Sequence, residues 1–420
     1  MMTEHRHSLD CCAVLACWLL GIAAAGCGPQ ITRNPVPANL IDEAQPVGIC
    51  HVRAWGGQYS PLFQADMVES IGQVRSYDPA GLVDQQGFVD VLALSGGGAQ
   101  GAYGAGLLSG WTAAGGRPKF KLVTGISTGA LTAPFAFLGP EYDEVLKNFY
   151  TTISTPDVYT ERPKLGLLFG ADSLADTAPL ARLIAQSVDA KVLAAVAQEH
   201  RKGRRLYVGT ANLDAGRLVV WNMGAIAASG HPNALHLFRE VLRASASIPV
   251  AFQPVIMPVE ADGKRWDEMH ADGGTMTQVF FYGFMLDLAA AAKQADVQPV
   301  PIRIFVIRNA QIKANWQAVK PLLLPIAGRT VSQLLFTQGV GDLYRIYAIT
   351  QQDGIDYNLA TIPDSFESHA TQAFDPKDMT RLFDLGYQQA ADGYPWQKTP
   401  PGMHPETGSI GRQAIRQSGD

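Results

Sequence analysis

The sequence has 420 residues, enough for one large domain or two ordinary ones, each able to bury a core, so size excludes no class of activity. Hydrophobic residues make up 47% and charged residues 17%, with abundant glycine and alanine, which suits a globular α/β protein and argues against a disordered chain. The formal charge of -5 argues against a general nucleic-acid partner.

Residues 1–26 read as a secretory signal peptide. Arg6 lies between His5 and His7, and an uncharged apolar stretch runs from Cys11 to Ala25, shorter than the roughly 20 residues that span a bilayer. A buried helix is the competing reading, disfavoured by these flanks. Ala24-Ala25-Gly26-Cys27 resembles the bacterial lipobox, which implies that Cys27 is lipidated and that the exported chain is anchored to a membrane, facing the periplasm. Ala24 stands where leucine is usual, so cleavage after Ala23-Ala24-Ala25, giving a soluble secreted chain, stays open. Cys11, Cys12 and Cys17 would leave with the signal and Cys27 would carry lipid, so of the five cysteines only Cys50 remains and no disulfide framework is expected. His51 does not make Cys50 a nucleophile, because neighbours in a strand point apart.

Residues 27–86 read as an N-terminal linker and extension, with four prolines between Pro29 and Pro46 suggesting an extended tether. The main domain is expected over 87–310. Phe88 to Leu94 is a short apolar run ending in glycines, a buried strand; a Gly- and Ala-rich helix from Ala102 to Ala114 follows, then a strand from Phe120 to Thr124 and a helix opening at Ser127. Strand, helix, strand, helix implies a parallel sheet with right-handed crossovers. Leu206 to Asn212 and Leu218 to Asn222 flank Asp214-Ala215-Gly216 as one hairpin, and Val255 to Val259 and Arg265 to His270 flank Asp262-Gly263 as another. Helical spacing returns from Asn233 to Ala244. A helix is expected from Phe280 to Ala292, with Phe280, Phe281, Phe284, Met285 and Leu288 on one side, a pattern that suits core packing better than lipid contact. Ile302 to Ile307 reads as the last strand. Residues 311–395 read as mainly helical, with the clearest pattern from Lys313 to Tyr347, and 396–420 as a disordered tail.

Gly125-Ile126-Ser127-Thr128-Gly129 matches G-x-S-x-G where a strand turns directly into a helix. Such an elbow exposes the serine hydroxyl on a strained turn, its glycines let helix and strand approach, and the helix N-terminus favours a nearby oxyanion. Alone the pentapeptide is common in ordinary turns. Upstream, Ser95-Gly96-Gly97-Gly98-Ala99-Gln100-Gly101 follows a strand and opens a helix, so its backbone N–H groups can converge on an anion. Gly96, Gly98 and Gly101 also fit the dinucleotide fingerprint, but that reading needs an acid at the end of the second strand, where Thr124-Gly125-Ile126-Ser127 stands instead.

His270-Ala271-Asp272-Gly273-Gly274 follows a strand, and its glycine turn can aim Asp272 into a site, although an Asp before two glycines is often only a turn former. In order, the glycine loop, G-x-S-x-G and Asp-Gly-Gly resemble the patatin-like phospholipase family over about Phe88 to Arg308. Ala244-Ser245-Ala246-Ser247-Ile248-Pro249-Val250-Ala251-Phe252-Gln253-Pro254 looks familial too, and Leu382-Phe383-Asp384-Leu385-Gly386-Tyr387 is similar to the family's closing helix. The resemblance implies a three-layer α/β/α sandwich with a mainly parallel central sheet. It further implies a serine lipid acyl hydrolase of phospholipase A or lysophospholipase type, with Ser127 as nucleophile and Asp272 as its only catalytic partner. Gly96, Gly97, Gly98 and Ala99 would form the oxyanion hole, Gly125 and Gly129 the nucleophile elbow, and no metal or organic cofactor is implied. The expected partners are a phospholipid or other acyl-ester lipid and a membrane surface. Related glycine loops commonly carry Arg or Lys where Gln100 stands, so activity is expected to be weaker or the preferred head group different, and an inactive, patatin-shaped lipid-binding scaffold remains the alternative.

A Ser, acid, His triad would need a histidine after Asp272, and only His369 and His404 qualify; His369 lies in a polar, surface-like stretch and His404 in the expected tail. His270 shares a strand face with Asp272 and reads as structural, with a role in the site left open.

Overall fold

The computed structural model describes residues 33–77, 83–84, 86–162, 173–282 and 285–403. The signal peptide, Cys27, Phe284, His404 and the rest of the tail lie outside the described residues.

The sheet strands, in chain order, are β1 (Gln45–Pro46), β2 (Arg53–Trp55), β3 (Val89–Leu94), β4 (Leu122–Gly125), β5 (Arg205–Asn212), β6 (Arg217–Asn222), β7 (Val255–Ala261), β8 (Lys264–Asp272), β9 (Ile302–Arg308) and β10 (Asp356–Thr361). They form one sheet in the order β1-β7-β8-β5-β4-β3-β9-β10, with β6 on β5 and β2 on β6. The centre, β5-β4-β3-β9-β10, is parallel, and the two expected hairpins form an antiparallel flank beside it.

The period-2 alternation of the central strands explains the layers. Leu92, Leu94, Phe305 and Ile307 point into one core, and Val91, Ala93, Ile304 and Val306 point into the other. The first core is covered by helices α2 (Gly101–Ala113), α3 (Thr128–Leu138), α4 (Ala234–Ser245) and α6 (Pro376–Ala391). The second is covered by α1 (Pro61–Tyr77) and the C-terminal half of α5 (Leu323–Asp353). The result is the expected α/β/α sandwich. The closing helix α6 lies against α2 so tightly that a Cβ on Gly106 would sit 2.0 Å from the Phe383 carbonyl oxygen.

Four expectations change. The stretch after Pro29 is not a free tether from residue 33 onward: Arg33 pairs with Asp214, Val36 and Ala44 are buried, and β1 adds an edge strand to β7. The helix expected from Phe280 begins only at Leu288, where Asp287 caps it; Phe280, Phe281 and Met285 are core side chains in irregular backbone, and the Thr124 hydroxyl donates to the Phe280 carbonyl. A strand, β10, interrupts the helical C-terminal part. The tail also stays packed beyond 396, because Trp396 meets Trp111 and Phe305, and Gln397 exchanges backbone hydrogen bonds with Leu359.

Candidate active site

β4 ends at Gly125 and α3 begins at Thr128, so only two residues make the turn. Ser127 takes φ 54°, a strained value for a residue with a Cβ. Close approach explains both flanking glycines: a Cβ on Gly125 would lie 2.5 Å from the Gly129 carbonyl oxygen, and one on Gly129 would lie 2.4 Å from that of Leu94. Ser245 holds the strained residue in place, its hydroxyl accepting from the Ser127 amide at 3.0 Å and donating to the Gly209 carbonyl at 2.7 Å.

Asp272 arrives through the sheet register. One edge of β5 pairs first with β4, as far as Gly125 opposite Val208, and then with β8, from Asp272 opposite Thr210. The ends of β4 and β8 therefore meet across Gly209, which brings together two residues 145 positions apart: the Ser127 hydroxyl donates to Asp272 Oδ2 at 2.6 Å. Asp272 Oδ1 accepts from the Gly274 amide at 2.7 Å, and the Asp272 amide donates to the Ser247 carbonyl at 2.8 Å. Burial raises the Asp272 carboxyl to about 7 against the pull of its bonds to Ser127 and Gly274. A carboxylate so placed can take a proton from the serine at neutral pH.

The glycine loop stands beside them, with a division of labour that its sequence did not reveal. The Gly96 amide donates to the Gln278 carbonyl at 2.9 Å, so Gly96 is not a free donor. Its lack of a side chain matters instead, since a Cβ there would lie 3.2 Å from that of Ser127. Gly97 and Gly98 have φ of 157° and 56°, and a Cβ on Gly97 would lie 2.2 Å from the Asn309 carbonyl oxygen. The amides of Gly97 and Gly98 have no acceptor among the described residues. Ala99 follows in the short turn of 3-10 helix, Gly98–Gln100. Asn309 braces the loop: its amide donates to the Ser95 hydroxyl at 2.8 Å, its side chain donates to the Ser95 carbonyl at 3.0 Å, and its side-chain oxygen accepts from Gly104.

Two cavities meet at this point, sharing Gly98, Ser127 and Ile248. One is an open cleft of about 370 Å³ that also reaches Gln100, Asp272, Gln278, Arg308 and Phe336. The other is an apolar pocket of about 30 Å³ among Leu131, Phe149, Ile153, Leu183 and Phe252. Arg308 is only 3% exposed, with its guanidinium over the Phe336 ring, one nitrogen donating to the Phe336 carbonyl, and Nε without a partner among the described residues. Burial lowers its pKa to about 10, which leaves it charged at neutral pH.

The other candidates fall outside. His270 is buried between Thr210 (2.9 Å) and Glu268 (3.0 Å), and Arg53 pairs with Glu268 and bonds the Ala44 carbonyl, so this network ties the N-terminal segment to β8. His369 is exposed, with its amide on Asp378, and Cys50 is exposed; neither lines either cavity. Among the described residues no group of three or more His, Cys, Asp or Glu side chains could hold a metal ion. The sequence reading gave no roles to Ser245, Ser247, Asn309 and Arg308. The first two lie in the familial 244–254 stretch, and the only signal for the others was a polar pair closing an apolar strand.

A strained serine between a parallel strand and a helix, facing a buried carboxylate at the carboxyl ends of the strands, defines an α/β protein of hydrolase type. Residues 92–284 match the family described as patatin-like phospholipase, a family of lipid acyl hydrolases. The crystal structure of VipD from Legionella pneumophila is similar at 13% identity with a TM-score of 0.32, covering 73% of this chain and 66% of that one, so the chain spans just under two thirds of that length. No curated protein sequence matches the chain.

Proposed function

We propose that the protein hydrolyses acyl esters of membrane lipids, as a phospholipase A or lysophospholipase, through a Ser127/Asp272 dyad. The observation that carries this reading is the 2.6 Å bond from the Ser127 hydroxyl to a buried carboxyl whose pKa lies near 7. Asp272 takes the proton as Ser127 attacks the ester carbonyl. The oxyanion forms against the free amides of Gly97 and Gly98, each such donor stabilising the transition state by roughly 2.7 to 4 kcal/mol. Collapse, with Asp272 returning the proton to the departing alkoxide, releases the alcohol and leaves an acyl-enzyme; Asp272 then takes a proton from the attacking water and hands it back to Ser127 as the fatty acid leaves. The apolar pocket suits the acyl chain and the open cleft the rest of the lipid. Arg308 supplies in that cleft the cation that Gln100 does not, positioned for an anionic head group.

Ser127→Ala and Asp272→Asn should each lower kcat/KM on nitrophenyl esters and on phospholipid by at least about a thousandfold. Equal turnover by wild type and both variants would sink the dyad, and intact lipid binding with no turnover by wild type would favour a lipid-binding scaffold. Export and anchoring through Cys27 belong to the same proposal, resting on the lipobox-like sequence: labelled fatty acid should enter wild type and not Cys27→Ser, and label in neither rejects the anchor.

A further inference from the structure

Helix α5 has two halves of opposite character. From Asp342 onward its inner face is core, with Leu343 and Ile346 buried against the sheet. The stretch before it shows apolar side chains to solvent: Trp316 is 85% exposed, Leu323 82%, Leu334 65%, Leu322 60% and Ile326 50%. Single exposed apolar residues are ordinary, but so many within one short segment mark a surface with a partner. Arg329 donates to the Asn315 carbonyl and so fastens the loop bearing Trp316 to the helix.

Charge selects the partner. From Lys313 to Gly341 there is no Asp or Glu, while Lys313, Lys320 and Arg329 contribute three cations, in a chain whose formal charge is -5. Two copies meeting through this face would set like charges together, whereas an anionic bilayer matches both the cations and the tryptophan–leucine surface. The same helix sends Ser332, Leu335 and Phe336 into the cleft that holds Ser127, so whatever covers the outer face lies at the mouth of the site. Among the described residues no helix is long and apolar enough to cross a membrane.

We propose that residues 313–334 form an interfacial docking surface that lies on an anionic lipid bilayer and sets the Ser127 cleft against it. Trp316, Leu322, Leu323 and Ile326 enter the region between head groups and acyl chains, and Lys313, Lys320 and Arg329 meet lipid phosphates. This deepens the lipid-hydrolase reading by stating how the site reaches its substrate, but the binding step does not require Ser127.

The test uses the full chain carrying Cys27→Ser, so that no lipid on that cysteine contributes, and co-sedimentation with vesicles of phosphatidylglycerol and phosphatidylcholine in equal parts. The chain should bind, and Ser127→Ala should bind equally well, which separates docking from chemistry. The combined variant Trp316→Ser, Leu323→Ser, Ile326→Ser should lose at least about tenfold in partitioning while cleaving a soluble short-chain nitrophenyl ester as before. Lys313→Gln, Lys320→Gln and Arg329→Gln together should weaken binding to these vesicles and lose the preference over pure phosphatidylcholine. Tryptophan emission should shift to the blue on adding vesicles, less so in Trp316→Phe, a check that does not depend on the triple variant folding. Unchanged binding by the apolar triple variant overturns the proposal. So does a triple variant that binds vesicles normally but converts a dimer to a monomer, which would assign the face to a second copy.

Discussion

The two cavities that meet at Ser127 differ in size and in the polarity of their linings. The apolar pocket, of about 30 Å³, is walled by side chains from the helical layer, whereas the cleft of about 370 Å³ is lined partly by polar groups and contains a buried guanidinium. A small apolar pocket gains by desolvating methylene groups, roughly 0.8 kcal/mol for each one buried, and must part its walls to admit a chain. An open cleft with a cation gains by charge-assisted hydrogen bonds. If the proposed function holds, the difference lets one serine serve two specificities that can be tested separately, chain length on one side and head group on the other.

Asp272 lines the cleft and bonds the serine that both cavities share, and titrating it gives the largest effect. Its folded-state carboxyl keeps its proton up to about 7 because it is buried, so kcat/KM on any ester should climb about tenfold per pH unit below 7 and level off above it. A profile flat from pH 5 to 9 on both neutral and anionic esters would remove Asp272 as the base. The same shift affects stability. The unfolded carboxyl ionises near 3.9, so the folded state binds more protons between about pH 4 and pH 7 and loses stability as pH rises through that window. Asp272→Asn should therefore be more stable than wild type at pH 8, by an amount on the order of a few kcal/mol, and this advantage should vanish near pH 4; denaturant melts at the two pH values check it.

Arg308 tests the cleft alone. Arg308→Gln should cost about ten- to a hundredfold in kcat/KM on an anionic phospholipid and several times less on a neutral acylglycerol, measured side by side, as expected for one lost charge-assisted contact. Equal losses on both substrates would make Arg308 a brace for α5, through its bond to Phe336, and not a head-group partner. The smallest effect belongs to the apolar pocket: Leu183→Trp should lower kcat/KM on a long-chain nitrophenyl ester by roughly tenfold relative to the acetyl ester. A uniform change across chain lengths would mean that the acyl chain lies elsewhere.

How much of this was legible in the sequence follows the same division. The Ser127 side is local: strand, glycine loop, strand and elbow lie between Val89 and Gly129, and each turn carries glycines whose absence of Cβ the geometry requires. Asp272 was legible as a candidate from its Gly-Gly context, but its place opposite Ser127 depends on β4 and β8 sharing one edge of β5, which pattern alone does not reveal. The cleft's far wall was not legible. Arg308 ends an apolar strand, and only the packing of α5 over it turns a surface-type residue into a buried cation. β10 is hidden in the sequence because Asp356 and Asn358 interrupt its apolar pattern; Lys398, from the stretch read as tail, bonds both of them. Conversely, Phe280, Phe281 and Met285 have helical spacing but fill the core from irregular backbone.

The central claim, that Ser127 is acylated with Asp272 as its base, is tested most directly by treating the full chain with a fluorophosphonate ester at pH 7.5 and mapping the adduct by mass spectrometry. One adduct on the peptide containing Ser127, absent from Ser127→Ala and formed at least about a hundredfold more slowly in Asp272→Asn, is the predicted result. An adduct on another residue, or one on Ser127 that forms at the same rate without Asp272, would contradict it.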